Sequence, residues 1–310
     1  MKVVALAGGV GGAKLAQGLA NALPAGNLTI IVNTGDDFEH FGLHISPDLD
    51  TVCYTLAGFA SPDAGWGRAD ETWAAMDNVG RLGGPIWFRL GDRDLGTHLE
   101  RTRRLKEGQP LSDIVRDFSR LWGIQQLVLP MTDDPARTLV QTKDGDLAFQ
   151  EYFVRRRCEP AVTGFKLEGG NSARPAPGVL EALARADQIV VCPSNPWVSI
   201  GPILSVPGIQ SAIDPEKAVA VSPIIGGRAV RGPAAKMFAE MGFQPTAAAV
   251  ARQYQRVVTH FVLDTEDSVL ESEISNLGMQ VLVTRTIMGG LPDRLRLAKS
   301  VLDFVGHHHP

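Results

Sequence analysis

Four aspartates lie in two short runs near the start of the chain. Asp36 and Asp37 directly follow a predicted strand at 28–32, and Asp48 and Asp50 stand at the start of a predicted helix. Mg²⁺ prefers oxygen ligands of this kind, and it binds one or two carboxylates while keeping water or phosphate oxygens as its other ligands. The two runs therefore indicate a divalent-cation site. The alternative is that Asp37 or Asp48 only caps a helix.

A glycine-rich turn, residues 8–12, joins the first predicted strand to a helix-forming run. Lys14 stands where the dinucleotide-binding fingerprint requires glycine, and no Ser or Thr follows it as a P-loop requires. Glycines nevertheless let a backbone approach a ligand, and the free N–H groups at a helix start attract phosphate. The turn therefore predicts a nucleotide site, with tight strand-to-helix packing as the alternative.

Two later turns carry side chains that suit ligand binding. Arg89 precedes a Gly-Asp-Arg-Asp run, and its guanidinium is suited to a phosphate or a ring carbonyl. The alternative for Arg89 is a surface ion pair with Asp92 or Asp94. Asn195, held between Ser194 and a proline, presents an amide suited to a base or ribose. For Asn195, turn formation alone is the alternative.

Strands alternate with helices along most of the chain, which predicts a Rossmann-like, doubly wound, mostly parallel α/β sheet. We expect one domain of 310 residues with its core at about 1–58 and 176–310. An inserted α+β subdomain is predicted at about 59–175, with a strand at 86–90 and a hairpin at 138–153. In such sheets ligands bind beyond the carboxyl ends of the strands. We therefore expect the polar turns to form one site at that edge.

Composition excludes several classes of function. The net charge of −4, without a basic stripe, argues against a nucleic-acid partner. The three cysteines form no C-x-x-C pair, so neither structural zinc nor a disulfide framework is indicated. No apolar run approaches the length of about 18 residues that a membrane span needs. A strand predicted from residue 2 leaves no room for a signal peptide, so we expect a cytoplasmic enzyme. The tail at 307–309 is expected to be a frayed end and not a metal site.

Seven motifs, taken together and in order, resemble the 2-phospho-L-lactate transferase (CofD) family of deazaflavin coenzyme F-420 biosynthesis. Any one of them is weak, but they extend over almost the whole chain. They are A-G-G-V-G-G-A-K (7–14), N-T-G-D-D (33–37), S-P-D-L-D-T (46–51), L-G-D-R-D (90–94), P-M-T-D-D-P (130–135), P-S-N-P (193–196) and S-P-I-I-G-G (222–227).

The resemblance implies an Mg²⁺-dependent transferase. A phospho-acid (2-phospholactate, phosphoenolpyruvate or a related acid) would move from a guanosine-diphosphate-linked donor to the ribityl hydroxyl of the deazaflavin Fo, and GMP would leave. The family's metal ligands map to Asp36 and Asp50. Its Fo contacts map to Asp50 and Arg89, both taken as catalytic, and we add Asp92 of the same motif. We rank Asp50 as a ligand before a general base.

For the nucleotide we expect contacts from residues at the glycine turn and at the ends of later strands. These are Gly9, Gly11, Gly12, Ser194, Asn195 and Gly226. The family resemblance also suggests a homodimer.

Two other functions compete with the transferase interpretation. One is a CofD-like regulatory protein that binds a nucleotide sugar without transferase activity; the presence of Asp50 and Arg89 argues against it. The other is an NAD-dependent oxidoreductase, which is disfavoured because the dinucleotide fingerprint fails at Lys14.

Overall fold

The computed structural model of the protein describes residues 1–62 and 65–306. The tail at 307–309, expected to be frayed, lies outside the described residues, as do residues 63–64 of the loop predicted at 58–68. Across the described ranges, every helix is too short or too polar to cross a membrane.

The first half of the chain contains the strands and helices that build one flank of the sheet. In chain order they are β1 (Val3–Ala7), α1 (Gly9–Ala22), β2 (Leu28–Val32), β3 (Phe38–His40), β4 (Leu43–Ile45), α2 (Pro47–Ala57), α3 (Ala74–Arg81), α4 (Asp92–Lys106), α5 (Leu111–Leu121), β5 (Leu127–Pro130), β6 (Arg137–Thr142), β7 (Gly145–Ala148) and β8 (Val162–Glu168).

The second half completes the sheet and its helical layers. Its elements are α6 (Val179–Ala184), β9 (Gln188–Val191), α7 (Gly201–Ser205), β10 (Ala218–Val221), β11 (Ile224–Ile225), β12 (Arg228–Ala229), α8 (Ala234–Glu240), α9 (Ala247–Tyr254), β13 (His260–Asp264), α10 (Glu271–Ser275), β14 (Gln280–Thr284) and α11 (Leu291–Gly306).

Within the described residues, seven strands pair in parallel in the order β14-β13-β10-β9-β1-β2-β5. The chain leaves β1 first toward β2 and β5, and later returns to build outward from β9 on the other side. The order therefore reverses between β1 and β9, where ligands bind in open α/β sheets. The predicted Rossmann-like, doubly wound fold is confirmed.

Helices cover both faces of the sheet because its strands are apolar on both sides. Val3 and Ala5 of β1 pack with α1 and α11, whereas Val4 and Leu6 pack on the opposite face with α6 and α9. This two-sided burial is typical of parallel sheets. It fixes the carboxyl ends of the strands rigidly relative to one another.

The range 59–175, predicted as an insertion, contains one strand of the main sheet. β5 pairs with β2 over Thr29–Val32, so this segment belongs to the core. The remainder includes the antiparallel sheet β7-β6-β8, in which β8 was not predicted. The division of the chain into core and insertion otherwise stays a prediction.

One predicted strand is wrong, and a predicted hairpin is confirmed but ends early. Residues 86–90, all described, form bends and coil, because Phe88 and Trp87 pack against Phe38 and His40 with ring centroids 4.9 and 5.1 Å apart. The hairpin at 138–153 ends earlier than expected, since the backbone turns helical at Glu151–Arg155. In both cases tertiary packing overrides local strand propensity.

Gly18→Ala tests the contact between α1 and α11. An added Cβ would overlap the Arg294 carbonyl oxygen, so we expect the free energy of unfolding to fall by about 1–3 kcal/mol. Gly96→Ala in α4 is the matched control, because its Cβ meets no described atom within 4 Å. There we expect a gain of about 0.5–1 kcal/mol from helix propensity. Equal urea-unfolding results for the two variants would contradict this packing.

Candidate active site

A cavity of about 890 Å³ lies beyond the carboxyl ends of the strands around the reversal point. Its walls come from segments that follow β1, β2, β9, β10 and β14. Among the predicted site residues, those that line it are Gly9, Gly11, Asp36, Asp50, Arg89, Ser194 and Asn195. Within the described residues, the lining does not include Gly12, Asp92 or Gly226.

Asn33 joins the two acidic runs. It is fully buried directly after β2, and its Nδ2 donates to Asp48 Oδ2 at 2.9 Å and to Asp36 Oδ1 at 3.1 Å. Its Oδ1 accepts from the Gly35 N–H at 2.8 Å, which fixes the orientation of the amide. Sequence analysis did not single out Asn33, although it is the first residue of the N-T-G-D-D run.

Asp36 and Asp48 are both buried and share one donor. Asp36 also accepts from Gln150 Nε2 at 3.0 Å, and Asp48 accepts from the Gly9 N–H at 2.6 Å. Burial raises the pKa of Asp36 well above its ordinary value, with a further contribution from the Asp48 carboxylate. Burial likewise raises the pKa of Asp48 to about 6. These two carboxylates lack a compensating cation among their described hydrogen-bond partners, so their position favours the binding of a cation.

Asp37 has a different role from its neighbour. It accepts from Ser46 Oγ at 2.7 Å and lies 3.0 Å from His44 Nε2, and it does not line the described cavity wall. These contacts tie the β3-β4 hairpin to the start of α2. Asp37 therefore has a structural role, although none of these contacts is with a helix N–H, so the capping alternative is not what Asp37 does.

Asp50 forms a buried ion pair that sequence analysis missed. Arg101 Nη1 donates to Asp50 Oδ2 at 3.0 Å and its Nη2 donates to Oδ1. Both residues are almost inaccessible, Asp50 at 6% and Arg101 at 2% of their full exposure. Each carboxylate oxygen can still accept a second ligand, since an ionised carboxylate offers about four lone-pair positions. Arg101 therefore fixes the position of Asp50, and both carboxylate oxygens can still accept a further ligand.

His98 extends this network into the cavity wall. Its Nδ1 lies 3.7 Å from Asp50 Oδ2, and its Nε2 lies 3.2 Å from Asp94 Oδ2. Although burial opposes it, the hydrogen bond with His98 helps lower the pKa of Asp94, which also accepts from Tyr54 Oη at 2.7 Å. Ligand atoms of Asp50, Asp94 and His98 lie within 4.8 Å of one another, so they too could hold a metal ion.

The glycine turn is the first turn of α1, which begins at Gly9 and not at residue 13 as predicted. A Cβ on Gly12 would crowd Ser194 Oγ and Ala7, so Gly12 allows close packing of helix on strand. Ser194 Oγ accepts from the Gly8 N–H at 3.1 Å and donates to the Gly8 carbonyl at 2.8 Å. These bonds fasten the ends of β1 and β9 together at the cavity floor.

Asn195 and Gly226 have well-defined structural contacts. Asn195 Oδ1 accepts from the Trp197 N–H at 3.0 Å, as the turn-forming alternative expects. Gly226 adopts φ 55°, and its N–H donates to Asp267 at 3.1 Å, so it is fixed in a turn. Nucleotide contacts from these residues stay a prediction.

Arg89 and Asp92 have different surroundings. Arg89 lines the cavity, stacks over the Trp73 ring at 4.7 Å and pairs with Asp77 at 2.9 Å. The predicted surface ion pair thus exists, but with Asp77 as its partner. Asp92 accepts from the Ala74 and Ala75 N–H groups at 3.0 Å and therefore caps α3. Its predicted contact with Fo is not tested by these bonds.

Much of the cavity wall is apolar and aromatic. The side chains concerned are Ile45, Trp66, Trp87, Phe88, Phe149, Phe153 and Met288. Flat aromatic rings stack well on such surfaces. The site thus combines a buried acidic end with a broad apolar face.

Comparison with known proteins shows the family to which the chain belongs. A family model described as 2-phospho-L-lactate transferase CofD matches residues 3–286. A phosphoenolpyruvate transferase of Streptomyces griseus subsp. griseus is 43% identical over 311 residues and covers 98% of each chain. A 2-phospho-L-lactate transferase of Methanosarcina mazei is 37% identical over 300 residues, covering 97% of this chain and 99% of that protein.

The fold comparison agrees. A crystal structure of a UPF0052 family member from Bacillus halodurans matches with a TM-score of 0.65 at 16% identity, covering 97% of this chain and 98% of that one. The fold and the site together define an α/β enzyme with a buried acidic centre at the edge of a parallel sheet. The chain belongs to the CofD family of transferases, as the motifs indicated.

Arg101→Met tests the buried ion pair. Removal of the guanidinium leaves the Asp50 carboxylate buried without its partner, so we expect the free energy of unfolding to fall by about 3–5 kcal/mol. Arg103→Met on the exposed side of α4 is the control, and its loss of surface pairs is expected to cost less than about 1 kcal/mol. The double variant Asp50→Asn/Arg101→Met should recover part of the loss. A single variant as stable as the control would contradict the account.

Proposed function

We propose that this protein transfers a phospho-acid from a guanosine-diphosphate-linked donor to the ribityl hydroxyl of Fo in coenzyme F-420 biosynthesis, with release of GMP. Membership of the CofD family and similarity to named transferases support this proposal. The structural observation that carries it is the pairing of buried carboxylates with a broad aromatic wall in one cavity. The higher identity to phosphoenolpyruvate transferases favours phosphoenolpyruvate as the acid.

Mg²⁺ fits the acidic end of the cavity. Asp36 and Asp50 are the ligands that we assign to it, and both offer hard oxygen atoms in the cavity wall. Burial raises the pKa of Asp36, and its described side-chain donors, Asn33 and Gln150, are neutral. When bound, Mg²⁺ would neutralise phosphate charge, including the charge that develops on departing GMP.

The protein's own residues position the reactants. Arg101 fixes the Asp50 carboxylate, so Asp50 can orient the attacking Fo hydroxyl as well as serve as a ligand. The hydroxyl oxygen forms the new bond to the donor phosphorus as its proton passes to Asp50 or to water. The bond from that phosphorus to the GMP oxygen breaks, and GMP leaves with the bonding electrons. Because the chemistry of phosphoryl transfer is mainly positioning and electrostatics, fixed carboxylates suit it.

The aromatic wall is assigned to the deazaflavin. Trp87 and Phe88 line the cavity beside Arg89, so a flat ring could stack there while its polar edge meets the guanidinium. Glycines 9 and 11 with Ser194 and Asn195 line the floor near β1 and β9, and we assign the nucleotide to that part. Homodimer formation and a cytoplasmic location stay predictions.

The transfer reaction tests the proposal directly. Purified protein is mixed with Fo, a guanosine-diphosphate-linked phospho-acid and Mg²⁺, and GMP release is measured together with the mass of the Fo product. We expect Asp36→Asn and Asp50→Asn to lower kcat by about 100-fold or more. Asp113→Asn, at an exposed ion pair on α5, is the control and should keep full activity.

Failure of Fo either to bind or to react with any donor would contradict the transferase proposal. It would favour the regulatory alternative, in which the protein binds a nucleotide-linked ligand without transfer. Full activity of Asp36→Asn would instead overturn only the assigned metal ligand.

Stabilisation by Mg²⁺ should depend on pH. The folded protein holds protons on Asp36 and Asp48 more tightly than the unfolded chain. Its stability without metal therefore falls as pH rises from about 4 through the raised pKa of Asp48, which is about 6, and through the raised pKa of Asp36. Mg²⁺ that binds Asp36 must displace the proton of that carboxyl group. We therefore expect Mg²⁺ to raise Tm clearly at about pH 7.5 and little at about pH 5. An equal rise at both pH values, or one that persists in Asp36→Asn, would contradict this assignment.

A further inference from the structure

A smaller cavity of about 200 Å³ adjoins the large one between α1 and α11. Lys14 lines both cavities, so it marks the place where they meet, and Arg294 lines the smaller one. The other described lining residues are neutral apart from Arg231, which also borders both cavities. The smaller cavity is therefore a cationic side pocket of the proposed active site.

The two cations contact neutral groups in the described part of the chain. Lys14 Nζ donates to the Met288 carbonyl at 3.0 Å, and Arg294 Nη1 donates to Gln17 Oε1. Gln17 is held in turn, since its Nε2 donates to the Thr55 carbonyl at 2.7 Å. Arg294 Nε is buried and has no hydrogen-bond partner among the described residues. Both side chains thus keep donor capacity for an anion.

Electrostatics also favour an anion here. Burial lowers the pKa of Lys14, and the nearby charges of Arg294 and Arg231 lower it further. Burial likewise lowers the pKa of Arg294. Like charges that are partly removed from water disfavour one another until a counter-ion joins them. Neither Lys14 nor Arg294 has a role in the reaction proposed above.

We propose that this side pocket binds the carboxylate of the three-carbon acid on the donor. The inference rests on the proposed function, whose donor carries a carboxylate in addition to its diphosphate. Arginine and lysine are strong partners for a carboxylate, and an arginine fork can bind both of its oxygens. Lys14 and Arg294 then determine specificity, because they select an acidic donor over a neutral one.

The spacing along α1 suits this placement. Gly9, whose N–H meets the acidic centre at Asp48, and Lys14 are five residues apart, about 7.5 Å along the axis at 1.5 Å per residue. A phosphate joined to a three-carbon acid, together with its hydrogen bonds, can span such a distance. The acidic centre and the cationic pocket would then hold opposite ends of the transferred group.

Transfer from two different donors distinguishes recognition of the carboxylate from a general effect on activity. Transfer is measured with the natural carboxylate donor and with its neutral methyl ester, for the unaltered protein, Arg294→Gln, Lys14→Gln and Arg294→Lys. We expect each Gln variant to lower kcat/KM roughly 10- to 100-fold for the carboxylate donor and less than about threefold for the ester. Arg294→Lys keeps the charge and should lose less. Arg296→Gln, at an exposed pair on the same helix, is the control and should change neither value.

Three results would overturn the inference. They are an equal loss on both donors, no loss on either donor, and a fall in GDP affinity that matches the loss in kcat/KM, because GDP has no carboxylate. Tm is measured for every variant, and Lys14→Gln tests the opposite wall if Arg294→Gln does not fold. If the unaltered protein transfers neither donor, the proposed function fails. That result is separate from the kcat/KM ratios between the variants and the unaltered protein, which test only the side pocket.

Discussion

The amide of Asn33 holds two buried carboxylates at the end of β2, and the site depends on that arrangement. By donating to both Asp36 and Asp48, it joins the segment after β2 to the start of α2. Asp48 then reaches the first N–H of α1 at Gly9, so the glycine turn is fixed to the same centre. Such burial of carboxylates is unfavourable without a cation. We infer that metal binding is what makes the cluster useful.

The acidic residues therefore form two groups, which differ in the partners that stabilise the carboxylate charge. Asp50 has Arg101 as a buried partner, and Asp94 has His98 and Tyr54. Asp36 and Asp48 have neutral donors, and their pKa values are raised. Asp50 therefore keeps one position and orientation, whereas the uncompensated charge of Asp36 and Asp48 favours a cation nearby, for which we propose Asp36 and Asp50 as the ligands. Their proximity to one cavity suits a reaction in which phosphate charge must be neutralised while a hydroxyl is oriented.

Sequence analysis could predict the parallel sheet and the edge that carries the site, because strand–helix alternation and polar turns at strand ends are local patterns. It could not identify Arg101 or His98. Both lie on a helix whose charged residues resemble a solvated surface, and only tertiary packing buries them against α2. The prediction of a strand at 86–90 is wrong for the same reason. The neighbouring aromatic rings of Phe38 and His40 determine the conformation of these residues.

The central claim is that one divalent cation binds at Asp36 and Asp50. The most direct measurement is a crystal structure with Mn²⁺ in place of Mg²⁺ and GDP, in which anomalous scattering locates the metal. We expect a peak within ligand distance, about 2.0–2.2 Å, of an oxygen of each of these two carboxylates and next to a GDP phosphate. A peak on Asp94 and His98 without Asp36, or GDP bound without any metal near the carboxylates, would contradict it.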